Sequence, residues 1–80
     1  AAVGPSASGQ QRAARKELAR LERQLDKLTA REQQLQEALL DAAGRVDELV
    51  RLDAELRALQ EQKTDVEHAW LVAAEAAESA

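Results

Sequence analysis

The stretch Leu18–Leu39, LARLERQLDKLTAREQQLQEAL, decides how this chain folds. Its leucines recur at alternating steps of three and four residues, which is the spacing of a heptad repeat written abcdefg. Position a is taken by Leu18, Leu25, Glu32 and Leu39, and position d by Leu21, Leu28 and Leu35. A line of leucines this narrow must be covered by another helix, so the stretch predicts a coiled-coil arrangement.

A second heptad repeat follows Gly44. Its a positions are Leu49, Leu56, Lys63, Trp70 and Ala77, and its d positions are Leu52, Leu59, Val66 and Ala73. Leu39 and Leu49 both take position a but lie ten residues apart, so a continuous helix would carry a stammer beside Gly44. The sequence therefore favours an all-α fold, a two-helix antiparallel coiled-coil hairpin, over a single rod that pairs with a second chain.

The pattern also predicts where the hairpin begins and turns. Residues 1–8 have no periodicity and contain glycine, proline and serine, which predicts a flexible linker. Ser8 and Gln11 fit a capping box, so we expect a helix from about residue 9. Gly44 can adopt the left-handed conformation that ends helices, and Asp47 is a candidate N-cap for the second helix. The hairpin then covers residues 9–80, with arms of about 9–43 and 46–78.

In the antiparallel register, two charged residues fall inside the leucine lines. Glu32 and Lys63 occupy adjacent layers, so they either pair across the helices and fix the register, or extend separately to water. Trp70, the only aromatic residue, is interpreted as a packing anchor near the open end, with a ligand-stacking role as the alternative.

The composition offers little support for catalysis. The chain has no cysteine and one histidine, His68, which lies at position f and is expected to face solvent. Its glycines are isolated, so no phosphate-binding loop is present. The sequence predicts no catalytic, cofactor or metal site and no membrane segment. Because the first residue is not Met, we expect the chain to be part of a longer protein.

Charge is distributed unevenly over a chain whose net charge is −4. Between residues 12 and 31 there are seven basic and three acidic residues, whereas from residue 45 onward there are four basic and nine acidic residues. Lys16, Arg20, Arg23 and Lys27 follow one another on the c and f positions of the first helix, opposite the leucines. Such a line of like charges costs helix stability and is suited to contacting phosphates. The residues taken alone nevertheless favour the alternative, a solvated face.

The second helix has the opposite arrangement, because acids and bases alternate along it at a spacing of four residues. This spacing predicts three favourable pairs within the helix, Asp47–Arg51, Asp53–Arg57 and Lys63–Glu67.

The predicted nucleic-acid-binding residues are therefore the four cations of the line on the first helix together with two outliers on the same arm. They are Arg12, Lys16, Arg20, Arg23, Lys27 and Arg31. No aromatic residue accompanies them, so any contact is expected to be with the backbone and independent of sequence.

Several apolar residues point outward from the predicted hairpin. Leu40, Val46 and Val50 lie near the turn, and Leu71 and Val72 lie beside Trp70. They either cap the ends of the hairpin or form docking points for a partner, for another copy of the chain, or for the rest of a parent protein.

Two runs of the sequence resemble a known domain. The run RKELARLERQLDKL at residues 15–28 resembles the first arm of the C-terminal coiled-coil extension of ABC-F proteins, the Uup-like ATPases with two ATP-binding cassettes. The runs LDAEL at residues 52–56 and EHAWL at residues 67–71 resemble its second arm, in which a late tryptophan is typical. The resemblance covers about residues 11–78.

This resemblance implies a cytoplasmic, non-catalytic module whose parent ATPase would bind ATP and magnesium outside this chain. It implies an antiparallel coiled coil that contacts DNA or ribosomal RNA. The competing prediction is a structural coiled coil used for self-association or for docking on the parent's ATPase domains.

Overall fold

The computed structural model describes residues 7–78, which form two α-helices lying side by side. Helix α1 covers Ala7–Asp41 and helix α2 covers Val46–Glu78. The helices are antiparallel, because Gln11 near the start of α1 donates from Nε2 to the carbonyl oxygen of Ala77 near the end of α2, at 2.7 Å. The predicted all-α hairpin is confirmed, and the single rod is wrong.

Residues 42–45 form the turn between the helices. Gly44 has a φ of 89°, the left-handed conformation predicted for it. The α2 boundary differs from the N-cap prediction: the N–H of Leu49 donates to the carbonyl of Arg45 at 3.0 Å, so Arg45 rather than Asp47 precedes the first turn. Asp47 and Glu48 lie inside that turn, where their negative charges interact favourably with the helix dipole and stabilise α2. The Arg45 side chain also donates to the carbonyl of Asp41 at 2.9 Å and so caps the end of α1.

Replacing Gly44 by alanine is expected to destabilise the hairpin. No atom lies within 4 Å of the place where a Cβ would be added, so the cost comes from the backbone conformation alone. That cost should be about 1–2 kcal/mol in the free energy of unfolding, measured by urea denaturation. Gly44→Asn is the control, because asparagine tolerates this conformation better. Alanine and asparagine variants as stable as the wild type would contradict the argument.

The two heptad positions are buried to different degrees. The d positions from residue 14 to 42 and from residue 52 to 73 are all buried, namely Ala14, Leu21, Leu28, Leu35, Ala42, Leu52, Leu59, Val66 and Ala73. The apolar residues at a pack against this line but remain partly exposed. The core is therefore a single line of d side chains, with the a side chains along one flank.

The charged pair within the a positions is formed. Lys63 Nζ lies 3.2 Å from Glu32 Oε1, and the two side chains are 25% and 19% exposed. Gln60 Nε2 is 3.5 Å from the other Glu32 carboxylate oxygen. Of the two alternatives, pairing across the helices is confirmed, and both groups keep some contact with water.

At the open end, α1 begins at Ala7, two residues earlier than expected. Ser8 is therefore inside the helix, and the side-chain amide of Gln11 reaches α2. Trp70 packs against the core and its Nε1 donates to Glu22 Oε1 at 3.3 Å, which confirms the packing anchor. Most of the predicted linker, residues 1–6, lies outside the described residues, as do residues 79–80.

Candidate nucleic-acid interface

The cations at positions c and f of α1 form one exposed surface. We call Lys16, Arg20, Arg23 and Lys27 the basic ridge; all four are exposed on the edge of α1 that faces away from α2. Helical spacing places them there, since c and f lie opposite the a and d side chains that face α2. Arg12 and Arg31, also exposed, extend the row to a length of about 29 Å at ~1.5 Å per residue.

One member of the basic ridge is already paired. Arg20 donates to Glu17 from Nε at 2.9 Å and from Nη2, so both carboxylate oxygens are engaged. This hydrogen bond, with the charge of the guanidinium, lowers the pKa of Glu17 below its usual value and raises the pKa of Arg20. Both groups are exposed, so water screens the pair. Arg20 therefore offers less net positive charge to a ligand than its neighbours do.

Arg31 is also drawn away from the row. Its Nη2 lies 3.5 Å from Glu55 of α2, and its Nη1 lies 3.4 Å from the side-chain oxygen of Gln34. This contact spans the two helices on the side where the d positions lie. The sequence predicts Arg31 to be an outlier of the binding face, whereas the structure gives it a partner within the hairpin.

The remaining cations of α1 have no acidic partner within residues 7–78. Lys16, Arg23 and Lys27 form no ion pair there, and neither do Arg12 and Arg15. Arg12 and Lys16 also line a shallow surface depression of about 270 Å³ with Gly9 and Ala13. Arg15 is not among the predicted binding residues, but it adjoins this depression in sequence. The strongest positive charge is therefore in the first half of α1.

Helix α2 neutralises its cations more fully. Arg57 Nε lies 3.0 Å from Asp53, as the spacing predicts. Two other predicted pairs are wrong: Arg51 contacts Glu48 and Glu55 rather than Asp47, and Lys63 turns to α1 rather than to Glu67. In both cases the basic side chain pairs with a different carboxylate from the one expected. Arg51 uses carboxylates of its own helix, and Lys63 uses one on the other helix. The contrast between a paired α2 and a largely unpaired ridge on α1 persists in the structure.

Other kinds of site find little support between residues 7 and 78. His68 is exposed, as predicted from its f position. Within this range no three His, Cys, Asp or Glu side chains are grouped to hold a metal ion. Neither α1 nor α2 is long and apolar enough to cross a lipid bilayer.

The fold and surface thus define an antiparallel helical hairpin with a cationic outer edge. Comparisons with protein-family models, curated proteins and solved structures find no match to this chain.

Proposed function

We propose that this hairpin contacts nucleic-acid phosphates through the basic ridge, as a non-catalytic C-terminal module of a cytoplasmic ABC-F-like ATPase. The observation that carries the proposal is a row of exposed cations, most of them without acidic partners, on one edge of α1. Lys16, Arg23 and Lys27 are its main contacts, Arg12 extends it, and Arg20 and Arg31 contribute less because Glu17 and Glu55 hold them.

The chemistry of this edge suits a polyanion better than a small ligand. The row is open and convex, and phosphates repeat every ~3.4 Å of helix axis on each strand of a duplex, so about eight base pairs match its ~29 Å length. Without aromatic side chains in the row, recognition should depend on the phosphates and vary little with sequence. DNA and structured RNA are both candidate ligands.

Replacing Lys16, Arg23 and Lys27 by glutamine together should weaken binding to duplex DNA or structured RNA about tenfold or more at low salt. The slope of log affinity against log salt concentration should fall by about 3, close to 0.9 for each phosphate that the protein no longer neutralises. Fluorescence anisotropy titrations at several salt concentrations measure both quantities. Arg20 is left in place because its charge is shared with Glu17.

The matched control replaces Arg45, Arg51 and Arg57 by glutamine. It removes the same charge from the chain but takes it from residues that pair with acids beyond the ridge. Affinity and salt slope should stay close to those of the wild type. Equal losses of affinity in the two triple variants would mean that binding depends only on the net charge of the chain. Unchanged binding in the ridge variant would mean that this edge of α1 does not contact the nucleic acid.

A further inference from the structure

The two long sides of the hairpin differ in how they are covered. In an antiparallel pair, the a and e positions of both helices share one side, and the d and g positions share the other. We call the first of these the a-side face and include position b, which lies about 100° from a around the helix. The d positions are buried, whereas the a positions are partly exposed. The hairpin is therefore closed on the d side and open on the a side.

The two sides also differ in their ion pairs. Arg31 and Glu55 join the two helices across the d side, and Arg51 links Glu48 to Glu55 beside them. On the a-side face the only interhelical ion pair within residues 7–78 is Glu32–Lys63, and it lies near the middle of the hairpin. Beyond this pair, each end of the a-side face carries exposed apolar residues.

One apolar end is at the turn. Leu40 and Val50 at position b and Val46 at position e are exposed there, and all three belong to the a-side face. Val46 and Val50 stand one helical turn apart and so form a small protruding pair.

The other apolar end is concave. A cavity of about 330 Å³ opens between the helices, lined by Leu25, Glu67, Trp70 and Leu71. Leu71 is exposed at position b, and Trp70 is partly exposed at position a. Val46 and Leu71 are 25 residues apart, which is about 37 Å along α2. One hairpin therefore carries a protrusion and a cavity at opposite ends of one face.

We propose that the a-side face binds a second copy of this chain, antiparallel and related by a twofold axis, so that each turn enters the cavity of the other copy. Such an isologous contact uses one patch on both copies. With the axis between Ala58 and Leu59 of α2, Val46 of each copy lies opposite Leu71 of the other. Val50 then lies opposite Glu67, another lining residue of the cavity.

The same axis fits α1. When e residues face b residues on antiparallel helices, Leu40 lies opposite Glu22 for an axis at Arg31. The axis position on α1 agrees with the axis position on α2. Arg31 contacts Glu55 and Glu32 contacts Lys63, so residues 31 and 32 of α1 lie beside the part of α2 that contains residues 58 and 59. Both helices thus place the axis at one height of the hairpin. No independent adjustment of either helix is needed.

Neighbouring registers are less complementary. A shift of one heptad places Val46 opposite Thr64 or opposite Glu78, and leaves Leu71 without an apolar partner. In the proposed register no two like charges are opposite each other on the a-side face. In this register residues 44–73 of the two copies overlap, a length of about 44 Å, and with the 15 Å width of the hairpin the contact covers about 650 Å² of each copy. The total of about 1,300 Å² lies within the range of specific protein interfaces, roughly 1,200–2,000 Å².

The experiment places opposite charges at the two ends of the a-side face in the 80-residue chain. Val46→Lys and Leu71→Glu should each raise the dimer dissociation constant about tenfold or more, because each places an unpaired charge in an apolar contact. An equimolar mixture of the two variants should dimerise again, since the introduced lysine of one variant then faces the introduced glutamate of the other. Analytical ultracentrifugation measures association, and circular dichroism checks that each variant is helical.

Val72→Lys is the matched control. Val72 is 57% exposed and Leu71 is 55% exposed, but Val72 lies at position c, off the a-side face, so its replacement should not alter association. A wild-type chain that stays monomeric at high micromolar concentration overturns the proposal. Single variants that dimerise as well as the wild type, or a mixture that stays monomeric, overturn it equally.

Discussion

The Leu35→Ala variant is expected to lose about 3 kcal/mol of the free energy of unfolding. Leu35 lies at position d with 3% of its surface exposed, in the line of side chains that forms the core. Removing three carbon atoms from such a site loses their transfer free energy and leaves a cavity that two helices can only partly close. Chains of this size are stable by only about 4–12 kcal/mol, so the loss is a large share of the total. Urea denaturation followed by circular dichroism measures it.

The matched control is Leu40→Ala, the same chemical change five residues further along the same helix. Leu40 is 78% exposed, so the loss should stay below about 0.5 kcal/mol when the protein is dilute enough to be monomeric. Equal losses of stability in the two variants would mean that the d line is not the core. The antiparallel packing would then have to be rebuilt around other positions.

The heptad spacing alone is sufficient to predict the hairpin. Leucines at steps of three and four define one side of each helix, and the ten-residue interval between Leu39 and Leu49 places the break at Gly44. The same register predicts that Glu32 and Lys63 are close enough to pair. These features follow from periodicity, which is a property of the sequence by itself.

Details that depend on competing partners are not predictable in this way. Gln11 fits a capping box by spacing, but the Ala77 carbonyl at the end of α2 offers it a hydrogen bond that no local pattern reveals. Asp47 is a good N-cap residue, yet the turn ends with the Arg45 carbonyl accepting the first helical bond. In the first case a tertiary contact supplies a partner that the local sequence does not show, and in the second a local backbone hydrogen bond decides where the helix begins.

The candidate interface shows the same division. Helical spacing predicts that the basic ridge shares one edge, and the structure places all four residues there. Helical spacing does not predict that both carboxylate oxygens of Glu17 accept hydrogen bonds from Arg20. It also does not predict that Glu55 of α2 forms an ion pair with Arg31. The unequal burial of positions a and d is equally hidden, because both carry leucine in the sequence.

The double variant Glu32→Leu with Lys63→Leu is expected to be more stable than the wild type by about 1–3 kcal/mol. The side chains of Glu32 and Lys63 are only 19% and 25% exposed, so both charges lose much of their hydration, and their attraction offsets that loss only in part. Leucines at these a positions would instead extend the apolar contact. Urea denaturation of the dilute protein measures the change.

The single variants should differ from each other, because the two side chains differ in length. Lys63→Leu leaves the Glu32 carboxylate with only a long contact to Gln60, so this variant should be the least stable of the set. Glu32→Leu leaves a lysine whose flexible stem can carry its charge to water, so its stability should remain near that of the wild type. The double variant should also specify the register of the two helices less strictly. In the wild type, a polar pair within a line of leucines disfavours shifted and parallel pairings of the helices. Ultracentrifugation should then show larger or mixed oligomers for the double variant. A double variant less stable than the wild type would mean that the ion pair stabilises the hairpin more than two leucines do.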